Sequence, residues 1–334
     1  MADNTKIEWA DASANAWWGC TKYGPGCTNC YALTLAKRYG FDIWGKDKPR
    51  KMIAGFIPAM LRLNRKAEKS GNKLIVFVNS MSDFFEEHDG QVRDQDANIL
   101  PLTLNDLRRD SFKVFDKCQW LKFLLLTKRP ENIRKMWVNP NLCRDDIGGD
   151  GQTQCAWREN VWLGTSISNQ NDADKAIPEL LKCRDYSPVL FLSLEPLISG
   201  INIQQWLPAH HGRSEQFLDG TNGPSIDWII VGGESGKNSR VNRVEWVRSV
   251  VSQCKAASVP CFVKQMGQNV IERNDCLSGD GPDDWHENTE AIDNPNGWHD
   301  TFQGADVRLR LIDKKGGNPD EWPEALRLRQ FPSS

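Results

Sequence analysis

Six short apolar runs recur along the chain: KLIVFVNS (73–80), WLKFLLLTK (120–128), NVWLGTS (160–166), PVLFLSL (188–194), DWIIVGGE (227–234) and PCFVKQ (260–265). Each is rich in Val, Ile, Leu or Phe, lacks polar alternation and stops at polar or glycine residues, the pattern of strands buried on both faces. Segments of helical spacing lie between them. Val244, Val247, Val251 and Cys254 fall at three- and four-residue steps within 243–257, and Ala173, Ala176, Ile177, Leu180 and Leu181 repeat that stripe within 170–183. Residues 54–69 and 91–109 are weaker helix candidates, each with an internal proline. Alternating strand and helix predicts right-handed βαβ units, and a first strand near Ala14–Trp18 brings the expected strands to about seven. The expected fold is therefore α/β, a complete or partial TIM-type (β/α) barrel, with a doubly wound open sheet as the alternative. One barrel-like domain over 1–334 accommodates it, with insertions near 139–158, 207–226 and 273–303, where Gly, Asn, Asp and other polar residues collect.

Polar residues gather where the strands are expected to end: Asn79, Ser80, Ser82 and Asp83; Thr127, Lys128 and Arg129; Thr165, Ser166 and Ser168; then Glu195, Glu234, Lys264 and Gln265. The carboxyl ends of strands are where barrels and open α/β sheets carry their chemistry. The sharpest motif is GCTKYGPGCTNCYA (19–32), directly after the first strand, with Cys20, Cys27 and Cys30 spaced C-x6-C-x2-C. Gly24, Pro25 and Gly26 make a tight loop there. YALTLAKRYG follows and can open a helix, whose amino-terminal N–H groups favour negative sulfur. Structural zinc is normally closed by four protein ligands, whereas a 4Fe–4S cluster on three cysteines leaves one iron open. A zinc site needs a fourth ligand from elsewhere, and Cys118, Cys143, Cys155 or one of the five histidines could supply it. Cys183, Cys254 and Cys261 read as small buried hydrophobes.

Composition narrows the setting. With 39% hydrophobic and 26% charged residues the chain is globular rather than disordered. No apolar run approaches the ~20 residues of a membrane span. Ten cysteines in 334 residues are too sparse for a small disulfide scaffold and, with no export signal in MADNTKIEW, read as reduced thiols or metal ligands in a cytoplasm. A net charge of −2 excludes a uniformly basic surface but not a basic patch. Residues 34–75 hold eleven Lys and Arg against three acidic residues, while 272–300 hold nine acidic residues against Arg273. In 37–51 the cations Lys37, Arg38, Lys46, Lys48, Arg50 and Lys51 are interleaved with Tyr39, Phe41 and Trp44. Cations that grip phosphates beside rings that stack on bases suit a nucleic acid, so Trp44 and these six cations are the expected nucleic-acid contacts. A solvated helix face is the plainer account of 62–73.

The blocks AWWGCTKYGPGCTNCYA, NSMSDFF (79–85), LLTKRPENI (125–133), WLGTSISNQ (162–170), LFLSLEPL (190–197), DWIIVGGESG (227–236) and LRLRQFP (326–332) resemble a family spread through phages and bacteria, labelled only as phage-type proteins. That family is distantly similar to radical S-adenosylmethionine (SAM) enzymes, in particular the spore photoproduct lyases. The resemblance implies a 4Fe–4S cluster on the loop after the first barrel strand, with Cys20, Cys27 and Cys30 at the matching positions. Two departures stand out. Radical SAM proteins commonly space these cysteines C-x3-C-x2-C, and the GGE that helps hold SAM follows an early strand there, whereas Gly232, Gly233 and Glu234 follow a late one.

The expected function is an iron–sulfur lyase that reverses ultraviolet-induced pyrimidine dimers in DNA without light, fed by a donor such as a ferredoxin or flavodoxin. Two routes stay open, one using SAM and one using direct electron donation without it. Lys128 and Arg129 are expected to stabilise negative charge, and Glu195 and Glu234 to orient SAM or bond an extruded base. Tyr31, Ser166, Gly232 and Gly233 are the expected cofactor contacts. Arg327 and Arg329 could meet an anion or pair with carboxylates. A radical-dependent modifier of DNA bases or nucleotides and a zinc-stabilised nucleic-acid-binding module are the alternatives.

Overall fold

Seven strands follow one another in chain order across one parallel sheet: β1 (Ala12–Ala14), β2 (Leu74–Val78), β3 (Leu121–Thr127), β4 (Val161–Ser166), β5 (Leu190–Leu194), β6 (Trp228–Gly232) and β7 (Cys261–Gln265). The structure is a computed structural model and describes residues 5–137, 157–208, 225–236, 238–273, 290–293 and 306–332. A doubly wound sheet reverses its strand order at a switch point; this order never reverses, as in a partial TIM-like barrel. The helices are α1 (Tyr31–Arg38), α2 (Phe56–Ser70), α3 (Leu104–Lys117), α4 (Ile133–Trp137), α5 (Gln170–Leu181) and α6 (Val244–Ala256). The insertions expected at 139–158, 207–226 and 273–303 fall almost wholly outside the described residues.

Contacts divide the chain into two compact units, Met1–Ser166 with Ala176–Phe191, and Ile167–Lys175 with Leu192–Ser334. In the first, β1 to β4 pair in parallel, with Ala12 opposite Val76, Leu74 opposite Leu121 and Phe123 opposite Val161. Val76, Val78, Phe123 and Leu125 are buried, as strands covered on both faces require. The first strand is shorter and earlier than the sequence suggests. Ala16 N–H donates to Asn79 Oδ1 at 2.9 Å and its carbonyl accepts from Ile53 N, which turns the chain after Ala14. Trp17–Trp18 then pairs antiparallel with Arg50–Met52 in a separate small sheet, which Val92–Arg93 and Ile99–Leu100 complete.

Those last two strands replace the amino-terminal part of the helix expected at 91–109. The helix begins later, at Leu104, because Thr103 and Asp106 form a capping box: the Thr103 side chain accepts from Asp106 N and the Asp106 carboxylate accepts from Thr103 N at 2.8 Å. In α2, Pro58 sits in the first turn, where a missing N–H costs no intrahelical bond.

In the second unit β6 and β7 pair in parallel, and α6 buries Val244, Val247, Val251 and Cys254 as its spacing predicts. A second small sheet runs Asn242–Arg243, Val270–Arg273, Asp306–Arg310 and Glu290–Asp293. The carboxyl-terminal segment lies along β7, with Val263 N–H donating to Leu328 O at 2.8 Å and Gln330 N–H to Cys261 O at 3.1 Å. It caps an edge that would otherwise present unpaired backbone groups. Among the described residues no helix is long and apolar enough to cross a membrane.

Candidate functional site

The cysteine loop leaves the small sheet at Gly19, whose φ of +108° is a conformation L side chains rarely adopt. A Cβ there would stand 2.5 Å from Ile43 O, so glycine is required twice over. Gly19 N–H donates to Met81 O at 3.1 Å, and Cys20 bridges to Trp44, with Gly45 N–H donating to Cys20 O at 3.0 Å. A one-turn 3-10 helix, Pro25–Cys27, folds the glycine-rich stretch, and Cys30 stands at the amino-terminal cap of α1. All three thiols are free and half-buried.

Two buried ion pairs hold this loop at the carboxyl ends of β1 to β3. Glu86 Oε1 accepts from Thr21 N at 2.7 Å, and both Glu86 oxygens accept from Arg50, at 3.0 and 2.9 Å. The remaining Arg50 donors go to Thr21 Oγ1 and to the carbonyls of Ile43, Gly45 and Lys48. Arg129, just beyond β3, donates to Asp83 Oδ2 at 2.8 Å and to Thr21 O at 2.7 Å. Asp83 also accepts from Thr127 Oγ1 at 2.6 Å and from Lys128 N at 3.1 Å. Arg50 and Glu86 are 0% and 1% exposed, so each charge is satisfied inside the protein.

The sulfurs feel this frame. Burial, then the charges of Glu86 and Asp83, pushes the Cys20 thiol well up, against the pull of Arg129. Burial also raises Cys30, while the backbone N–H groups of Leu33 and Ala32 and the Lys128 ammonium favour its thiolate. Those N–H groups face the sulfur without meeting the geometry of a side-chain cap hydrogen bond. Cys27 lies close enough to both neighbours for its charge to raise each. At Arg129 burial disfavours the charge, but Asp83, Cys20 and Glu86 outweigh it and hold the guanidinium protonated beyond its usual range. Among the described residues no three His, Cys, Asp or Glu side chains are gathered as ligands of one metal ion.

The expected site residues separate into groups. Lys128 Nζ donates to Ser166 Oγ at 2.6 Å, and Tyr31 OH donates to Ser80 O at 2.6 Å, so both come to the strand ends beside the cysteine loop. Arg50 is a correction: it belongs to the buried frame and offers nothing to a phosphate. Arg129 likewise anchors Asp83 and Thr21. Lys37, Arg38, Lys46 and Lys48 are exposed, with Lys48 paired to Asp42, while Trp44 and Lys51 are half-buried. Trp17 is fully buried against Phe84, and only Trp18 reaches the surface.

In the second unit Glu195 accepts from Lys264 Nζ and Gln265 Nε2, and Glu234 accepts from Arg240 N, Nε and Nη2. Gly233 is dictated by packing, since a Cβ there would stand 2.1 Å from Met266 O, and Gly232 sits at a register shift opposite Gln265. Arg329 lies over the rings of Phe262 and Trp322, and Arg327 donates to Trp322 O at 2.8 Å, so both stitch the terminal segment down. Cys118 and Cys183 are buried and pushed up to about 11 and about 12 by that burial. Sequence reasoning missed Glu86 as the loop's anchor, because a glutamate in EEHDG carries no signal of a partner 36 residues earlier.

No curated protein matches the chain. It is similar to two solved structures of spore photoproduct lyase mutants, one with bound AdoMet and dinucleoside spore photoproduct (TM-score 0.43) and one with the dinucleoside spore photoproduct (TM-score 0.40). Identity is 9% in both, over 98% of this chain and 75% of the other. A family model described as a protein of unknown function (DUF5131) matches residues 4–294, and the chain belongs to that family.

Proposed function

We propose that the chain is an iron–sulfur enzyme of the radical SAM-like kind, that Cys20, Cys27 and Cys30 hold a 4Fe–4S cluster, and that it reverses ultraviolet-induced pyrimidine dimers in DNA without light. The observation that carries this reading is the cysteine loop, three free thiols fixed at the strand ends by two buried ion pairs with Lys128 and Arg129 beside the sulfurs. The donor set fits the group. Iron–sulfur clusters are held by cysteine thiolates, and three free thiols stand on this one loop. When bound, such a cluster supplies an electron at low potential and keeps one iron open to an outside ligand, SAM on one of the two routes and none on the other.

The chain's own residues do the rest. Metal binding displaces thiol protons, and the negative sulfur of Cys30 then faces the N–H groups of Ala32 and Leu33 and the Lys128 ammonium. Lys128 meets a hydroxyl and no carboxylate among the described residues, which leaves its charge for an anionic group of ligand or lesion. Arg129 and Arg50 keep the loop from relaxing when negative charge arrives. Reversal of a cyclobutane dimer needs no net oxidation or reduction, so the protein has only to hold the lesion and screen passing charge.

The test incubates the reduced, iron-loaded protein with ultraviolet-treated oligonucleotide in the dark, with and without SAM, and counts restored pyrimidines by mass spectrometry. Restoration that disappears in Cys27→Ala, together with its iron, supports the proposal. Unchanged dimers in every arm overturn it.

A further inference from the structure

Three rings meet on the first unit beyond the cysteine loop. Trp18, Tyr39 and Phe41 have mutual centroid separations of 6.1, 6.0 and 6.3 Å, each within the range of aromatic contact. Tyr39, at the carboxyl-terminal cap of α1, is 58% exposed, so most of its ring faces solvent while Trp18 and Phe41 back it. Lys51 places its ammonium 4.1 Å from the Phe41 centroid. Lys37 and Arg38 immediately precede Tyr39 in the last turn of α1; both are exposed and neither has a carboxylate partner among the described residues. Lys46 is exposed on the loop that Gly45 ties to Cys20. Core packing explains Trp17, which is fully buried, but not a tyrosine held open between two free cations and a ring-backed lysine.

We infer that Tyr39, backed by Trp18 and Phe41, is a stacking platform for one unpaired base, and that Lys37, Arg38 and Lys46 hold the phosphates on either side of it. Charge complementarity selects this occupant. A polyanion whose charges alternate with flat π-faces matches cations that alternate with rings, whereas a duplex hides those faces in its stack. The substrate strand is therefore single-stranded or locally opened. This deepens the DNA reading above and rests on it only for the identity of the strand, because binding at the platform needs no cluster.

Fluorescence anisotropy of the full chain tests it, with a labelled short oligothymidylate and a hairpin duplex of equal length as probes. The single strand should bind more tightly than the duplex. Tyr39→Ala should weaken single-strand binding roughly five- to a hundredfold, the range set by base–aromatic stacking, and Tyr39→Phe should restore it. Lys37→Ala and Arg38→Ala should each lower the log–log salt slope by about 0.7. Wild-type affinity in Tyr39→Ala, equal affinity for duplex, or no binding of either probe overturns the platform. Cys27→Ala separates the two readings: loss of iron with oligonucleotide binding intact is expected, so failure of the cluster proposal leaves this one standing, and the reverse.

Discussion

After β1 and after β6 the chain makes glycine turns that carry similar polar residues and use them differently. At the first, Gly19 turns at φ +108° and the charges of Arg50, Glu86, Asp83 and Arg129 are spent on one another and on backbone, beside three thiols outside any disulfide. At the second, Gly232 and Gly233 fit against the backbone of Gln265 and Met266, and the acidic residue itself is the group engaged, Glu234 by Arg240, as Glu195 after β5 is by Lys264. A motif of glycines and carboxylates at a strand end is thus no guide to chemistry until its partners are known. In the first turn the ion pairs are scaffolding for donors of another kind; in the second they terminate the polar groups.

The largest effect should come from breaking the scaffold. Glu86→Gln leaves Arg50 charged and fully buried, which should cost about 3–5 kcal/mol in urea unfolding and lower the iron retained per chain. Glu234→Gln leaves Arg240, 28% exposed, free to hydrate, and should cost less than about 2 kcal/mol with iron unchanged. Equal costs would erase the contrast. Next, Gly19→Ala meets both an unfavourable φ and Ile43 O, for roughly 1–3 kcal/mol of strain, and should also reduce iron content. Gly233→Ala, which meets Met266 O, should lower the unfolding midpoint while iron analysis gives the wild-type value.

A smaller effect is set by pH. Burial, then the neighbouring Arg50 charge, holds His88 below its usual value, so the unfolded chain binds the proton first as pH falls. Stability should therefore be flat above about 6.5 and decline as pH drops through the window below it, and His88→Gln should flatten that decline. The smallest effect belongs to Asp42→Asn. Its pair with Lys48 is exposed on both sides, and melting should detect a change within about 1 kcal/mol.

Much of the fold was legible because buried parallel strands write themselves as unbroken apolar runs: six of the seven strands fall within the runs read from sequence. The exception, Ala12–Ala14, is three small residues without β-branched or aromatic character, and the two tryptophans after it drew the expected strand forward into a different sheet. The helix at 104–117 announces itself through Thr103 and Asp106, a local signal, yet the helix read at 91–109 began ahead of Pro101. In the candidate site the cysteines and Lys128 were readable as types at strand ends. Arg50 was misjudged because an arginine among surface lysines looks like one of them; only its tertiary pairing with Glu86 puts it inside. Tyr39 was noticed as one ring among cations, but its role against Trp18 depends on a contact across 21 residues of chain.

The central claim is that the three loop cysteines together hold an iron–sulfur cluster. Anaerobic reconstitution followed by iron and sulfide analysis on wild type and on Cys20→Ala, Cys27→Ala and Cys30→Ala tests it most directly. The account predicts about four irons and a broad absorbance near ~400 nm in the wild type, with both lost in each single variant. Zinc in place of iron, or iron retained when any one of these cysteines is removed, would contradict it.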